Sequence, residues 1–448
     1  MASAAEQLAA NLNFGAFAKA TELKKRILFT LAALVVYRFG TYLPLPGIDT
    51  QIMQDIFNQN QGGILGMLDV FAGGAFGRMS IFALNIMPYI SASIIMQLMT
   101  TVSPKLEALK KEGETGRKTI NQYTRYLTVI LASVQAYGLS VGMENLTTGT
   151  GETAVIDPGL FFRATAVITL LGGTMFLMWL GEQITARGIG NGISLIIFAG
   201  IVAELPRSMA FLFEQVRIGA MSVAILFGIA IMVVGVIAFC VFMERAQRRV
   251  LVQYPKRQMG NRMYGGDSTH LPLKLNTSGV IPPIFASALL LLPLSAVSLS
   301  GGTGPAWLQT VSAQLQHGQP TFMVLYAALI TFFAFFYTSI VFNPDDVADN
   351  LRKYGGFVPG TRPGQNTSEY LQRVLNRITC IGAAYLVLVC MIPEFLISQN
   401  ASVPFYFGGT SLLIVVTVTM DTVSQIHSHM LAHQYEGLVK KTKLRGRR

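Results

Sequence analysis

The sequence predicts an all-α membrane protein, and three observations support that prediction. Of the 448 residues, 52% are hydrophobic and 13% are charged, whereas roughly 25% of a typical soluble chain is charged. Ten apolar stretches have the length of about 20 residues that a helix needs to cross a bilayer. The basic residues between these stretches fall almost entirely on one side of the predicted membrane, as expected of cytoplasmic loops.

The ten predicted transmembrane helices follow one another along the whole chain. The segment that precedes the first span finishes with Lys24, Lys25 and Arg26 and has no convincing cleavage site. We therefore take the first span as retained. The fifth is short and opens with the glycine-rich run GIGNG. The predicted spans are 27–43, 80–101, 122–142, 160–181, 190–205, 219–243, 277–297, 321–342, 378–398 and 404–426.

The basic residues predict the orientation of these spans. An even number of spans puts both termini on the same side of the membrane. If that side is the cytoplasm, the cytoplasmic segments hold 29 of the 34 lysines and arginines, an excess typical of such loops. The other five basic residues are spread thinly over the opposite face: Arg38, Arg78, Arg163, Arg207 and Arg217.

Two of the predicted cytoplasmic loops are long as well as basic. Residues 244–276 alternate polar with β-favouring residues, a pattern that predicts a hairpin-like finger. Residues 343–373 carry Gly, Pro and Asn turn signals around Arg362. Both loops could act only as positive-inside topology signals. Their length favours the alternative that they dock on an acidic protein or on ribosomal RNA.

Residues 69–101 combine features that are unusual at membrane depth. Glycines loosen the stretch up to Arg78, and Asn85 and Pro88 lie inside the predicted second span. A broken helix at this depth is tolerated only inside protein or beside a water-filled cavity. The stretch is therefore expected to line a path through the membrane.

The sequence predicts neither an enzyme nor a cofactor site. The runs GIGNGIS (188–194) and GETGRK (113–118) lack the spacing of a phosphate-binding loop. His427, His429 and His433 lie near the end of the last span without a glutamate base or a cysteine, so a hydrated helix end is favoured over a metal site. The three cysteines lie in separate positions within apolar runs and make no disulfide framework.

An ion-coupled secondary transporter is the alternative function with similar hydropathy. Such carriers generally need ionisable groups near the middle of the membrane. Of the 23 acidic residues, we place only Asp421 well inside a predicted span, whereas Glu182, Glu244 and Glu394 lie at span ends. This distribution favours a passive channel over a carrier.

Six long stretches of the chain carry a family resemblance. They are PLPGID (44–49), SIFALNIMPYISASIIMQL (80–98), KKEGETGRKTINQYTRY (110–126), GTMFLMWLGEQITARGIGNGISLIIFAGIVAELP (173–206), STHLPLKLN (268–276) and VPFYFGGTSLLIVV (403–416). On these residues the chain resembles the SecY family, whose members form the central subunit of the bacterial protein-conducting channel. The resemblance covers essentially the whole chain.

The resemblance implies an architecture that the residues alone do not predict. Two pseudo-symmetric halves of five helices, 1–205 and 206–448, would enclose an hourglass pore. A plug would lie at about 64–78, and a lateral gate would lie between spans two and three on one side and spans seven and eight on the other. No internal repeat is visible in the sequence, so the symmetry comes from the family alone.

The resemblance also implies roles for single residues. An aliphatic pore ring would close by dewetting. Glycines, at about 1 kcal/mol each, would make the helix of the plug marginal, so that the plug could leave its position. Polar side chains would close the lateral gate by weak hydrogen bonds. Without the resemblance, the isoleucines are simply core residues and the gate residues bond to local backbone. The implied residues are Ile86, Ile90, Ile197, Ile284 and Ile414 for the pore ring, Ile64, Phe71, Gly73, Gly74, Gly77 and Arg78 for the plug, Ser91, Gln97 and Asn276 for the lateral gate, and Lys256, Arg257, Arg262 and Arg362 for docking.

The function implied is a passive channel in the bacterial plasma membrane, which translocates unfolded secretory chains and inserts membrane proteins laterally. The implied partners are the small subunits SecE and SecG, the motor ATPase SecA, the ribosome, signal peptides and nascent chains, anionic lipids, and YidC and SecDF.

Two residues depart from the family pattern. Asn261 stands where an arginine is expected beside Arg262, which bears on the strength of docking. Pro283 adds a second proline directly before Ile284, which bears on the stiffness of the seventh span.

Overall fold

The protein is mostly helical, as the sequence predicted. A computed structural model describes residues 21–59, 69, 72–144, 153–219, 221–254, 257–259, 262–264, 268–299, 310, 314, 319–399 and 409–445. The helices are α1 (Thr21–Gly40), α2 (Thr50–Gln59), α3 (Met87–Val102), α4 (Pro104–Lys111), α5 (Glu114–Glu144), α6 (Leu160–Arg187), α7 (Gly192–Arg217), α8 (Val223–Arg245), α9 (Ile281–Leu299), α10 (Pro320–Val341), α11 (Pro344–Lys353), α12 (Gln365–Gln399) and α13 (Gly409–Arg445). The strands are β1 (Gln247–Gln253), β2 (Arg257–Met259), β3 (Arg262–Tyr264) and β4 (Ser268–Lys274).

Seven stretches of helix are long and apolar enough to cross a membrane. Among the described residues, these are α5, α6, α7, α8, α10 with α11, α12 and α13. Two further apolar helices, α3 and the first part of α9, are shorter, and α1 carries four basic residues among its 20. Each of the ten predicted spans overlaps one helix. The seven long helices confirm a polytopic membrane protein, and the full ten-span topology stays a prediction.

The second span differs from the prediction at its start. Residues 80–86 form turns, and α3 begins only at Met87. Pro88 therefore lies in the first turn of the helix, where its missing N–H leaves no helical hydrogen bond unmade. Asn85 has φ 48°, a left-handed conformation that asparagine tolerates better than most residues. The prediction of a proline inside a full-length helix was wrong, because this proline starts the helix.

The fifth span is longer than predicted. The helix α7 continues through Pro206 to Arg217, whereas the prediction ended it at residue 205. Glu204 consequently lies in the interior of an apolar helix, and only 2% of its surface is exposed. The census of acidic residues, which placed only Asp421 well inside a span, was therefore incomplete.

The chain divides into two compact units. Unit 1 consists of Met1–Ser208, Ser298–Gly301 and Val418–Arg448, and unit 2 consists of Met209–Val297 and Gly302–Thr417. Boundaries fall within α7, α9 and α13, so each of these helices contributes residues to both units. The pseudo-symmetric halves 1–205 and 206–448 stay a prediction.

In unit 1, the turns at residues 80–86 are fixed against two helices. The ring of Phe82 stacks on Tyr37 of α1 and on Phe176 of α6, with ring centroids 6.3 and 5.9 Å apart. Gly173 of α6 faces the carbonyl group of Ile81 so closely that a Cβ atom would overlap it. Small residues permit such close backbone approach in membrane proteins. The turns leading into α3 are thus held by packing as well as by their own hydrogen bonds.

In unit 2, aromatic side chains join the helices. Phe285 of α9 meets Phe333 and Tyr337 of α10 edge-on, with ring centroids 5.7 and 6.4 Å apart. The hydroxyl group of the buried Tyr326 shares a hydrogen bond of 2.7 Å with Oγ1 of Thr410 at the start of α13. A buried tyrosine hydroxyl normally needs such a partner. Aromatic packing and this polar contact therefore link α9, α10 and α13.

Adjacent glycines on α6 provide a test of the close approach in unit 1. We expect Gly173→Ala to lower the free energy of unfolding by roughly 1–3 kcal/mol, because the new methyl group has no room. Gly172 has no neighbouring atom within 4 Å of its virtual Cβ, so Gly172→Ala should be neutral or stabilise by up to about 1 kcal/mol. Unfolding midpoints of the two purified variants measure the difference. Equal midpoints would contradict the packing described for Ile81.

Candidate functional site: a buried glycine turn and a basic module

The predicted pore-ring isoleucines are divided between the two units. Ile86, Ile90 and Ile197 belong to unit 1, whereas Ile284 and Ile414 belong to unit 2. The carbonyl of Ile86 accepts the N–H of Ile90 at 3.0 Å, so these two residues lie one helical turn apart. They lie at the start of α3. All except the partly exposed Ile284 are buried, and the ring itself stays a prediction.

The predicted plug is described only in part. Ile64 and Phe71 lie outside the described residues, whereas Asp69 and Ala72–Met79 are described. We call Ala72–Met79 the glycine turn. Its residues 73–79 form consecutive turns and not the marginal helix that was predicted. Gly73 and Gly74 have φ 63° and 78°, values that residues with a side chain rarely adopt. These two glycines therefore serve turn geometry, since there is no helix here to weaken.

The glycine turn is buried within unit 1. A Cβ atom at Gly73 would lie 2.5 Å from Cα of Gly200 on α7, and one at Gly77 would lie 3.0 Å from the ring of Phe57 on α2. The carboxylate of Asp69 accepts the N–H of Gly77 at 2.7 Å. The side chain of Ala75, which lies between these glycines in the sequence, is also buried and is 0% exposed. We call this set of contacts the seat of the glycine turn.

The buried carboxylate of Glu204 lies against the glycine turn. Its Oε1 atom is 3.5 Å from Nη2 of Arg38 and 3.8 Å from Nη2 of Arg78, and its Oε2 atom is 4.0 Å from Nη1 of Arg207. A buried charge is very costly unless it is paired. Three guanidinium groups around one carboxylate meet that requirement. They also give the site a net positive charge.

The same arginines hold the backbone of the glycine turn. The carbonyl group of Gly73 accepts hydrogen bonds from Nη1 of Arg38 at 2.7 Å and from Nη2 of Arg78 at 3.3 Å. Both guanidinium groups also lie over the ring of Tyr42, at 5.1 and 4.5 Å from its centroid. Such cation–π contacts stabilise a cation by about 0.5–2 kcal/mol. Arg78 and Arg38 are thus fixed by the carboxylate, the carbonyl and the ring together.

The sequence analysis missed Glu204. The residue follows the apolar run GISLIIFAGIVA and precedes Leu205 and Pro206. Because the predicted span ended at residue 205, Glu204 was interpreted as a charge at the end of the helix. Apolar residues resume after Arg207, with Met209, Ala210, Phe211, Leu212 and Phe213. Extending the helix through the proline would have placed the acid inside a span. That was the available signal, since no motif marks the residue.

Every arginine that the sequence assigned to the non-cytoplasmic face is paired with an acid. Arg38, Arg78 and Arg207 surround Glu204. The remaining two pair nearby along the chain, with Arg163 2.6 Å from Glu144 and Arg217 3.4 Å from Glu214. The sequence showed these five residues as scattered single charges. The structure instead places each of them within 4.0 Å of a carboxylate.

The predicted finger is confirmed as a β-hairpin. Strands β1 and β4 pair antiparallel from Gln247 opposite Lys274 to Gln253 opposite Ser268, and the short strands β2 and β3 form a second antiparallel pair between them. Two of the predicted docking residues, Arg257 and Arg262, lie on β2 and β3. Lys256 and Asn261 lie outside the described residues.

The two basic loops form one structure, which the sequence did not predict. Gln253 of β1 and Phe357 exchange two backbone hydrogen bonds of 2.9 Å each. Gly356 lies so close to β1 that a Cβ atom would be 3.0 Å from the ring of Tyr254. We call the hairpin together with residues 356–378 the basic module. Its shared apolar core consists of Val250, Val252, Leu273, Val358, Val374 and Ile378.

Arg362 is presented on an exposed turn of the basic module. Its carbonyl group accepts the hydroxyl of Thr367 at 2.9 Å, and its flanking residues Gly360 and Gly364 have φ 85° and 105°. The helix α12 begins directly afterwards, at Gln365. The hydroxyl of Ser368 on α12 also bonds to the carboxylate of Asp345 on α11. The predicted open loop at 343–373 is therefore an ordered support that projects one arginine.

The gate residues differ in how their polar groups are satisfied. Nδ2 of Asn276 donates to Oε1 of Glu244 at 2.5 Å and to the carbonyl of Gly279 at 3.2 Å, which favours local bonding for this residue. Nε2 of Gln97 donates to Ser93 at 3.4 Å. Its buried Oε1 has no hydrogen-bond partner in the described part of the chain. Ser91, on the same helix as Gln97, is buried.

Metal coordination has no support in the described residues. They contain no group of three or more His, Cys, Asp or Glu side chains that could hold a metal ion. Cys240 and Cys390 are buried, whereas Cys380 is exposed. The chemistry available at the two sites is therefore ion pairing, hydrogen bonding and apolar packing.

The shared core of the basic module can be tested with two neighbouring residues of β1. Val252 is 1% exposed and Leu251 is 36% exposed, because successive residues of a strand face opposite sides. We expect Val252→Ala to lower the free energy of local opening by roughly 1–3 kcal/mol, so that backbone amides of β1, β4 and residues 356–358 exchange hydrogen faster. Leu251→Ala should change it by less than about 0.5 kcal/mol. Faster exchange in the hairpin alone would show that the two loops do not share a core.

Comparisons with known proteins give matches over most of the chain. A family model described as SecY matches residues 80–423. The protein translocase subunit SecY of Escherichia coli strain K12 is 54% identical over 426 residues, which are 95% of this chain and 96% of that protein. The fold is also similar to two solved structures, each aligned over 90% of this chain and 92% of the other. One is a SecY protein whose plug domain stabilises the closed state of the translocation channel, with a TM-score of 0.58 and 17% identity. The other is Sec61 in the canine ribosome-channel complex, with a TM-score of 0.56 and 18% identity.

Proposed function

The chain belongs to the SecY family, and from that premise we propose that it is a passive protein-conducting channel of the bacterial plasma membrane. It translocates unfolded secretory chains and inserts membrane proteins laterally, and it is not an enzyme. One observation carries this conclusion: the 54% identity to a protein translocase subunit extends over 95% of the chain. The seven membrane-length stretches of helix support the multi-pass location.

A secondary transporter is not favoured. The buried Glu204 is the kind of residue that a proton-coupled carrier would use. Its carboxylate, however, lies within 4.0 Å of three arginines and is occupied by ion pairs within the protein. The 54% identity to a protein translocase subunit also favours a channel over a carrier.

The conducting path is proposed to pass the five isoleucines Ile86, Ile90, Ile197, Ile284 and Ile414. The burial of four of them and the one-turn spacing of Ile86 and Ile90 support this role. Aliphatic side chains offer no polar group to ions, so a narrow ring of them closes by dewetting. The glycine turn is proposed to belong to the plug, and the lateral gate is proposed to involve Ser91, Gln97 and Asn276. Among the described residues, the buried Oε1 of Gln97 has no hydrogen-bond partner, which supports a polar contact that forms or breaks as the gate moves.

The orientation is proposed with ten spans in two halves and both termini in the cytoplasm. The concentration of 29 of 34 basic residues in the loops assigned to that side supports it. The pairing of all five remaining arginines with acids provides further support, because it reduces the uncompensated positive charge on the opposite face.

Energy for translocation is proposed to come from partners that dock on the basic module. The sequence has no phosphate-binding loop of the required spacing, and a neighbour in fold, Sec61, is found in a ribosome-channel complex. The ribosome is therefore one expected partner. The motor ATPase SecA would use the same surface, including Lys256, Arg257, Arg262 and Arg362, and SecE and SecG would brace the channel within the membrane. The exposure of Arg362 on an ordered turn supports this use of the module.

Crosslinking tests the conducting path. We expect a stalled secretory chain to crosslink to Ile90→Cys, because a polypeptide that fills the ring must contact this side chain. Ile231→Cys is the matched control, since Ile231 on α8 is 73% exposed on an apolar helix and is expected to face lipid. The measurement is the yield of the adduct for each variant in a background without the native cysteines. Transport that proceeds with no adduct at Ile90→Cys would remove the residue from the path.

Charge reversal tests docking. We expect Arg362→Glu to reduce SecA-driven export about tenfold or more, because removing one contact charge and adding its opposite costs several kcal/mol at a close interface. The amount of the chain in the membrane should stay unchanged, since the turn is exposed and its backbone bonds are kept. Lys118→Glu is the control, being an exposed charge at the start of α5 outside the basic module. The docking role would be refuted by export that is equal in the two variants.

A further inference from the structure

We infer that Glu204 is a positioning residue that holds the glycine turn in its seat by charge, through Arg78 and Arg38. The inference rests on the proposed function, which gives the glycine turn its role as part of the plug. Two observations lead to it: the carboxylate is 2% exposed, and Arg78, one of its three arginine partners, belongs to the glycine turn itself.

The geometry makes the carboxylate the common partner of three separate elements. Arg78 comes from the glycine turn, Arg38 from α1, and Glu204 with Arg207 from α7. Arg38 and Arg78 also donate to one carbonyl oxygen, that of Gly73, so their positive charges lie close together. Like charges at such distances repel one another. The negative charge of Glu204 is what allows both guanidinium groups to occupy this position.

The glycines of the turn leave room for the carboxylate of Glu204. A Cβ atom at Gly74 would overlap Oε1 of Glu204 and would lie 2.7 Å from Nη2 of Arg78. Gly73 likewise contacts the backbone of Gly200, one turn before Glu204 on α7. The glycine that the positive φ at residue 74 favours therefore also leaves the space that the carboxylate of Glu204 occupies.

A charge-based seat differs from an apolar one in its response to water. Coulomb attraction between two charges is many times stronger in a dry protein interior than in water. Arg38 and Arg78 are only partly covered, with 28% and 20% of their side chains exposed, so water needs to enter only a short distance to weaken the pair. The seat is thus strong while the site is dry and becomes weak once it is hydrated. Opening would then favour further opening.

The test measures how well the seat covers Ala75. The full-length chain, with its native cysteines replaced and Ala75→Cys introduced, is placed in nanodiscs without substrate, and the rate of labelling by a water-soluble maleimide is measured. Ala75 is 0% exposed, so labelling should be slow. Adding Glu204→Gln should accelerate it about tenfold or more, which corresponds to roughly 1.4 kcal/mol. Glu204→Asp, which keeps the charge, should label more slowly than Glu204→Gln.

A matched control separates the seat from general loosening of α7. Glu214→Gln removes another acid from the same helix, one whose pair with Arg217 is exposed on both sides. It should leave the labelling rate at Ala75→Cys unchanged. The inference is overturned if Glu204→Gln and Glu214→Gln label equally fast, or if Glu204→Asp labels as fast as Glu204→Gln.

A second replacement keeps the inference falsifiable if Glu204→Gln alone is poorly folded. In the Glu204→Gln background, Arg78→Gln removes one of the two repelling charges, so the double variant should label more slowly than Glu204→Gln does. Faster labelling of the double variant would contradict the charge argument. Failure of the proposed channel function is seen separately, as absence of secretory-chain transport by the unsubstituted protein. The labelling rates report on the seat whether or not transport occurs.

Discussion

The bilayer offers no water to the backbone, and this constraint governs the whole molecule. Every N–H and C=O group at membrane depth must find a partner in the chain, which is why the apolar stretches are helices. The one described break among them, at residues 73–86, obeys the same rule. The N–H of Leu45 donates to the carbonyl of Met79 at 2.9 Å, and the N–H of Ile81 donates to the carbonyl of Leu43 at 3.0 Å. Non-helical backbone is thus possible here because the segment before α2 supplies its hydrogen bonds.

Charges within this environment follow an equivalent rule. A carboxylate cannot stay buried alone, and Glu204 is accordingly surrounded by arginines that come from different parts of the sequence. Two of these arginines are partly exposed, so the site reaches the surface of the protein. An interaction of this kind adds a charged contact to a segment whose apolar side chains Ala72, Ala75, Phe76 and Met79 are also buried. It also leaves the position of that segment sensitive to water, whereas apolar packing strengthens when water is present.

Outside the membrane, the physical problem is different. Strands β1 and β4 alone would make a two-stranded hairpin, which is marginally stable in water. The pairing of Gln253 with Phe357 and the apolar core shared with α12 supply the missing packing. The result is a firm support for exposed basic residues such as Arg362. Arg362 is held by its backbone, so its side chain remains available.

The membrane class, the approximate positions of the apolar stretches, the hairpin at 244–276 and the membership of the SecY family could be predicted from the sequence alone. These features depend on local composition, period and residue order, which a single chain displays directly. The tertiary structure was needed to show that α3 starts at Met87 with Pro88 in its first turn, that α7 continues past Pro206, that the two basic loops share one core, and that Glu204 lies among Arg38, Arg78 and Arg207. The proline positions were ambiguous because a proline can start, bend or end a helix. The other features depend on residues such as Gln253 and Phe357, or Arg38 and Glu204, that are more than a hundred positions apart, and no local pattern indicates which of them meet.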